Sequence, residues 1–118
     1  MTLGKQADIT LFLLHFKMTA QVRFTLIPRG KNLSTITQYG IKPDEIKNVI
    51  FQLTLHDYIS GPCPDHTNSG YNVWVFGVQI GEAEFYVKLS DDFRGNEAKC
   101  LSFHKADYKC TYPHKKQK

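Results

Sequence analysis

Several things this chain lacks narrow what it can be. It has only three cysteines, Cys63, Cys100 and Cys110, and an odd count argues against a disulfide framework. It has no Cys-x-x-Cys pair. The nearest metal-ligand pairs, Cys63-x-x-His66 and His104…Cys110, lack the paired knuckles of structural zinc, and no metal is expected. Cys100 and His104 stand four apart on one strand, too far along a face to hydrogen-bond as a nucleophile and its base. No glycine-rich phosphate cradle or dinucleotide fingerprint occurs, so no cofactor is expected. Carboxylate clusters are also missing, and Asp91-Asp92 reads as a turn. The apolar run Ile9 to Phe16 is too short to span a bilayer and no small-residue cleavage motif follows it. It reads as a helix, with no membrane partner and a cytoplasmic setting expected. Asn32-Leu33-Ser34 matches a glycosylation sequon, which means little without a secretory route.

Acidic residues are in short supply. Lys plus Arg number 15 against 11 Asp plus Glu, a net charge of +4, which suits a polyanionic partner. Much of the excess falls at Lys105, Lys109, Lys115, Lys116 and Lys118, a basic tail that either holds nucleic acid or is simply solvated. With no repeat and no dividing linker, residues 1–118 read as one domain with that tail.

What is present reads as helices followed by strands. Residues 6–20 suit a helix with one buried face. Residues 22–27 are rich in strand formers and stop at Pro28-Arg29-Gly30, with Arg23 on the polar face. A short helix capped by Asn32 or Ser34 ends at Gly40. The clearest helix opens at Pro43-Asp44-Glu45 and carries Ile46, Val49, Ile50 and Leu53 at i, i+3, i+4 and i+7. Residues 56–70 hold two prolines and two glycines and read as a long loop flanked by His56 and His66. Residues 72–80 read as a strand, with Gly77 marking a bulge.

The remaining strands organise the chain. Ala83 to Leu89 alternates, with Phe85, Val87 and Leu89 on one face and Glu84, Tyr86 and Lys88 on the other. Lys99 to His104 alternates too, placing Leu101 and Phe103 together and Cys100, Ser102 and His104 together. If the apolar faces match across the turn, Tyr86, Lys88 and His104 share one sheet surface. That trio suits acid–base work on a phosphate. His56, Tyr58, His66 and Tyr71 are candidates for base stacking or phosphate contact. The expected class is α+β, with N-terminal helices packed on one face of a small antiparallel sheet.

From Ile41 to Tyr112 the chain resembles the MqsR-type branch of the RelE-like bacterial toxins. The resemblance is carried by the helix Asp44 to Leu53, by Thr54-Leu55-His56-Asp57-Tyr58, by Trp74, by Phe85-Tyr86-Val87-Lys88-Leu89 and by Leu101-Ser102-Phe103-His104. It implies a RelE-like fold and a metal-independent endoribonuclease that cleaves mRNA through the RNA's own 2′-hydroxyl. It also implies a cognate antitoxin, while the part played by the ribosome stays open. By position Tyr86 matches the family's active-site tyrosine. His104 and Ser60 stand where the family pattern has lysines: either the chemistry moves to His104 and Lys88, with Lys88 or Arg23 supporting the phosphate, or the chain is a divergent relative with altered activity. Lys105 and the tail lysines would then hold the RNA backbone. Two other readings stay open: a non-enzymatic module binding RNA or protein through the same face, and a zinc-supported structural domain.

Overall fold

Phe12 lies flat on Trp74, ring centroids 4.6 Å apart and planes 6° apart, and the core grows outward from this stack. The computed structural model describes residues 5–115. Helix α1 (Gln6–Val22) turns Ile9, Phe12, Leu13, Phe16 and Ala20 inward. Strand β1 (Phe24–Leu26) follows directly, then α2 (Gly30–Tyr39) and α3 (Pro43–Phe51). α2 ends on Gly40 at φ 63, the left-handed conformation that glycine adopts at no steric cost. α3 starts on Pro43, and the Glu45 carboxylate accepts from the Lys42 N–H at 3.1 Å, satisfying a donor the helix itself leaves unpaired. Of the predicted stripe, Ile46, Ile50 and Leu53 are fully buried, and Val49 is half-buried against the core.

The strands β2 (Tyr58–Pro64), β3 (Asn72–Ile80), β4 (Ala83–Ser90) and β5 (Ala98–Lys105) complete a five-stranded sheet in the order β1-β5-β4-β3-β2. The class is α+β, and β3-β4-β5 is the antiparallel meander expected. The sheet as a whole is mixed, not antiparallel, because β1 pairs parallel with β5 from Phe24↔Ala98 to Leu26↔Cys100. The predicted strand over 22–27 is also shorter, because α1 runs through Val22 before the chain extends.

Three further expectations are corrected. Half of the predicted 56–70 loop is β2, paired to β3 with two register irregularities. Its prolines are tolerated because β2 is an edge strand, where a missing N–H costs no ladder bond on the open side. Asn32 is no cap. It is buried inside α2, donating to the carbonyls of Ile27 (2.8 Å) and Leu101 (3.0 Å) and accepting from the Phe103 N–H (2.9 Å). It ties α2 to β5. Gly77 marks no bulge, since the β3–β4 ladder runs regularly through Gly77↔Tyr86.

Cys100 was expected on the polar face with Ser102 and His104. A bulge between Lys88↔Ser102 and Leu89↔Cys100 inserts Leu101 and turns Cys100 into the core, fully buried. Burial pushes its thiol up to about 12, so it stays a neutral, inert thiol. At the same end of the sheet Asp92, its side chain 3% exposed, accepts from Arg94 Nε and Nη2, both at 2.9 Å, and from Asn68 at 2.8 Å. Asp91-Asp92 is therefore a structural node that joins the β2–β3 and β4–β5 turns.

Candidate functional site

The sheet has one face against the helices and one face turned away. Trp74, Phe76, Phe85, Val87 and Phe103 fill the first. Alternation sends Gly77, Glu84, Tyr86, Lys88, Ser102 and His104 to the second. The register pairs Tyr86 with His104 and Lys88 with Ser102, so the expected grouping on one surface is what the strands form. The rings of Tyr86 and His104 stack, with centroids 5.4 Å apart and planes 17° apart.

His104 is anchored through one nitrogen. Its Nδ1 lies 3.0 Å from the Lys105 carbonyl oxygen. A carbonyl only accepts, so Nδ1 carries the proton and Nε2 is left as the basic nitrogen of the neutral ring. Tyr86 is half-buried. Burial, and then the neighbouring thiols of Cys63 and Cys110, push its hydroxyl above the ordinary phenol value. It is therefore a proton donor at neutral pH, not a phenolate.

The residues after β5 do not leave as a free tail. Up to Lys115 they cross the outer face as a strap. The Ala106 N–H donates to the Glu84 carbonyl (2.8 Å), and the Cys110 N–H (2.8 Å) and Tyr112 hydroxyl (2.6 Å) donate to the Glu84 carboxylate. His56 Nδ1 lies 2.8 Å from the His114 carbonyl, closing the far end of the strap. The Tyr112 ring rests on Gly77, where a Cβ would meet its Cε1 and Cζ at 3.0 Å. This close approach is why β3 has a glycine there. Burial works to raise the Glu84 carboxyl, but the Cys110 N–H and the Tyr112 hydroxyl outweigh it and hold it below its ordinary value. Burial first, and then the bond to Glu84, push the Tyr112 hydroxyl up. Lys116 and Lys118 of the predicted tail lie outside the described residues.

Strap and sheet enclose two clefts. One, of about 470 Å³, is lined by Tyr86, His104, Ile59, Asp107, Tyr108, Lys109 and Cys110. Tyr108 is 87% exposed, a free aromatic face at this cleft. The other, of about 500 Å³, holds His56, Glu84, Lys109, Tyr112 and Lys115. Lys109 and Cys110 border both.

The expected site residues divide accordingly. The exposed Lys105 pairs with Phe85 and so lies on the opposite, helix-side face at the end of β5, whereas Tyr86 and His104 come together. Lys88 shares their surface one step along β4 but does not line the cleft. His56 stands in the second cleft. Arg23 precedes β1 and accepts from the Ala98 N–H, at the opposite end of β5, roughly 20 Å from His104 along the strand. His66 is exposed in the turn after β2, also toward that far end. Tyr58 is not a surface residue. It is fully buried against Phe76 with its hydroxyl donating to the Gly61 carbonyl, so it cannot stack on a base. The residues that sequence reasoning did not place at the site are Glu84, Asp107, Tyr108, Cys110 and Tyr112; Lys109, expected as one of the tail lysines, borders both clefts. Glu84 was visible on the Tyr86 face by alternation; the others follow the last strand, where no periodicity signals a return over the sheet.

Among the described residues no three His, Cys, Asp or Glu side chains converge as a metal-binding group, and no helix is long and apolar enough to cross a membrane. The chain matches no protein-family model, and no curated protein or solved structure shows a match to it.

Proposed function

We propose that this chain is a metal-independent endoribonuclease of RelE-like, MqsR-like kind, the toxin of a toxin–antitoxin pair acting on mRNA. The observation that supports it best is the stacked Tyr86–His104 pair, with Nε2 of His104 left basic, in a cleft bordered by Lys109 and Tyr108. Cleavage by the 2′-hydroxyl needs a base, an acid and cationic support for the phosphate. His104 Nε2 takes the 2′-hydroxyl proton, the 2′-oxygen bonds to phosphorus, and the bond from phosphorus to the 5′-oxygen breaks. The 5′-oxygen leaves with the Tyr86 proton, giving a cyclic phosphate and a 5′-hydroxyl. Lys109, with Lys88 on the same sheet face, meets the phosphate backbone, and Tyr108 offers a ring for an unpaired base. The net charge of +4 favours both mRNA and an acidic antitoxin segment, and a ribosomal encounter fits the same charge.

One observation favours the second reading, an RNA-binding module without turnover. Lys88 stands outside the cleft that holds Tyr86 and His104, so the cation that shares their strand face is not aimed at the reacting phosphate. Incubating the purified protein with a mixed-sequence RNA separates the two readings. The enzymatic reading expects fragments ending in cyclic phosphate, formed equally with EDTA present. Binding without fragments supports the module, and cleavage lost in EDTA and restored by a divalent ion overturns the metal-free step.

A further inference from the structure

The second cleft, of about 500 Å³, takes no part in the chemistry of Tyr86 and His104. It lies one step along the sheet from them. Glu84, which lines it, and Tyr86 are two residues apart on one face of β4, roughly 6.5–7 Å along the strand. That is comparable to the span of one unstacked nucleotide. The strap separates the two clefts, and the exposed Lys109 borders both.

The open groups in this cleft are mostly donors. Lys109 and Lys115 form no ion pair among the described residues. The Lys115 N–H donates to the Tyr112 carbonyl at 3.2 Å, which fixes the base of its side chain on the strap. His56 spends Nδ1 on the His114 carbonyl and keeps Nε2 for a ligand. The two acids already hold protein donors. One Glu84 oxygen accepts from the Cys110 N–H at 2.8 Å, and the other from the Tyr112 hydroxyl at 2.6 Å. Asp57 accepts from the Thr54 N–H at 2.9 Å. The formal charges of the two lysines and two acids balance, so recognition rests on direct contact with the open ammonium groups. Such contacts select an anion with several acceptor oxygens.

We propose that the second cleft is a backbone subsite of single-stranded RNA, in which Lys109 and Lys115 hold the phosphate next to the one cleaved, with His56 beside them. The proposal rests on the RNA reading above and extends it from one phosphate to two. A polymer with a phosphate at Tyr86 and His104 delivers the next one at this distance, which an acidic peptide has no cause to match. The strap between the clefts requires the bases to unstack, which a duplex resists.

A 2′-O-methyl octanucleotide of mixed sequence binds without being cut through its 2′-hydroxyls. Its affinity is followed by fluorescence anisotropy over a salt series. Lys115→Ala should weaken it several-fold and lower the salt slope by about 0.7, the value for one single-strand phosphate contact. Lys115→Arg should stay close to wild type. Lys42→Ala, the same loss of charge at the exposed start of α3, should change neither quantity. An unchanged slope for Lys115→Ala overturns the subsite, as does an equal effect of Lys42→Ala or no binding at all. Adenosine monophosphate or polyglutamate that binds as tightly, with the same dependence on Lys115, overturns the choice of RNA. Cleavage is scored apart, on RNA of the same sequence. Lys115-dependent binding without cleavage leaves the subsite standing and overturns the nuclease; cleavage with Lys115-independent binding does the reverse.

Discussion

Replacing Gly77 with alanine tests whether the strap is held on the sheet as the contacts imply. The added Cβ would lie 3.0 Å from Cε1 and Cζ of Tyr112, with the hydroxyl closer still. β3 resists yielding, because Gly77 sits mid-ladder against Tyr86 of β4. Tyr112 must therefore swing away and release the Glu84 carboxylate, which it reaches at 2.6 Å. A hydrogen bond to a charged group contributes about 1.5–3 kcal/mol. The Cys110 N–H remains to satisfy Glu84, so the expected loss lies at the lower end, about 1–2 kcal/mol. Urea unfolding gives the loss, and hydrogen exchange at the Cys110 and Ala106 amides locates it. Protection should fall at the strap while the core strands keep theirs. Tyr112→Ala should cost a similar amount, and Gly77→Ala should add little in its presence, because the clash is already gone. A Gly77→Ala protein with unchanged stability and fully protected strap amides would refute the reasoning.

Other consequences are as direct. The Arg94 guanidinium first, then Asn68 and Lys99, hold the Asp92 carboxyl well below the carboxylate range against the opposing effect of burial. Its stabilisation is therefore present above the unfolded value near pH 4 and is lost as pH falls toward the folded one. Acid unfolding should steepen below about pH 4, and Asp92→Asn should remove about 2–3 kcal/mol at neutral pH while flattening that acid limb. Lys88→Ala should weaken RNA binding several-fold and reduce its salt dependence by about one phosphate contact in a salt titration. Arg23→Ala, at the far end of β5, should leave RNA binding unchanged in the same titration.

The outer-face grouping was legible because period-two alternation and a shared register suffice to bring Tyr86, Lys88 and His104 to one surface. α3 was legible because Pro43, Glu45 and the Ile46–Leu53 stripe agree with one another. β2 was not, because its prolines and glycines signal turns, and only its edge position makes them compatible with a strand. Cys100 was misplaced because one bulged residue inverts every face beyond it. The strap was hidden for a different reason. Its contacts are single long-range bonds from Cys110, Tyr112 and His114 to Glu84 and His56, and nothing local in residues 106–115 encodes them. Tyr58 looked like a surface aromatic only because its segment looked like a loop.

Single-turnover cleavage of one defined RNA by wild-type protein and by His104→Ala, with circular dichroism confirming the fold, addresses the proposed chemistry most directly. His104 lies on the outer face and its ring contributes little to the core. The variant should therefore fold normally while its cleavage rate falls about 10²–10⁴-fold, the usual range for a lost general acid or base. A well-folded His104→Ala protein that cleaves at close to the wild-type rate would contradict the assignment and move the chemistry to the neighbouring cleft around His56.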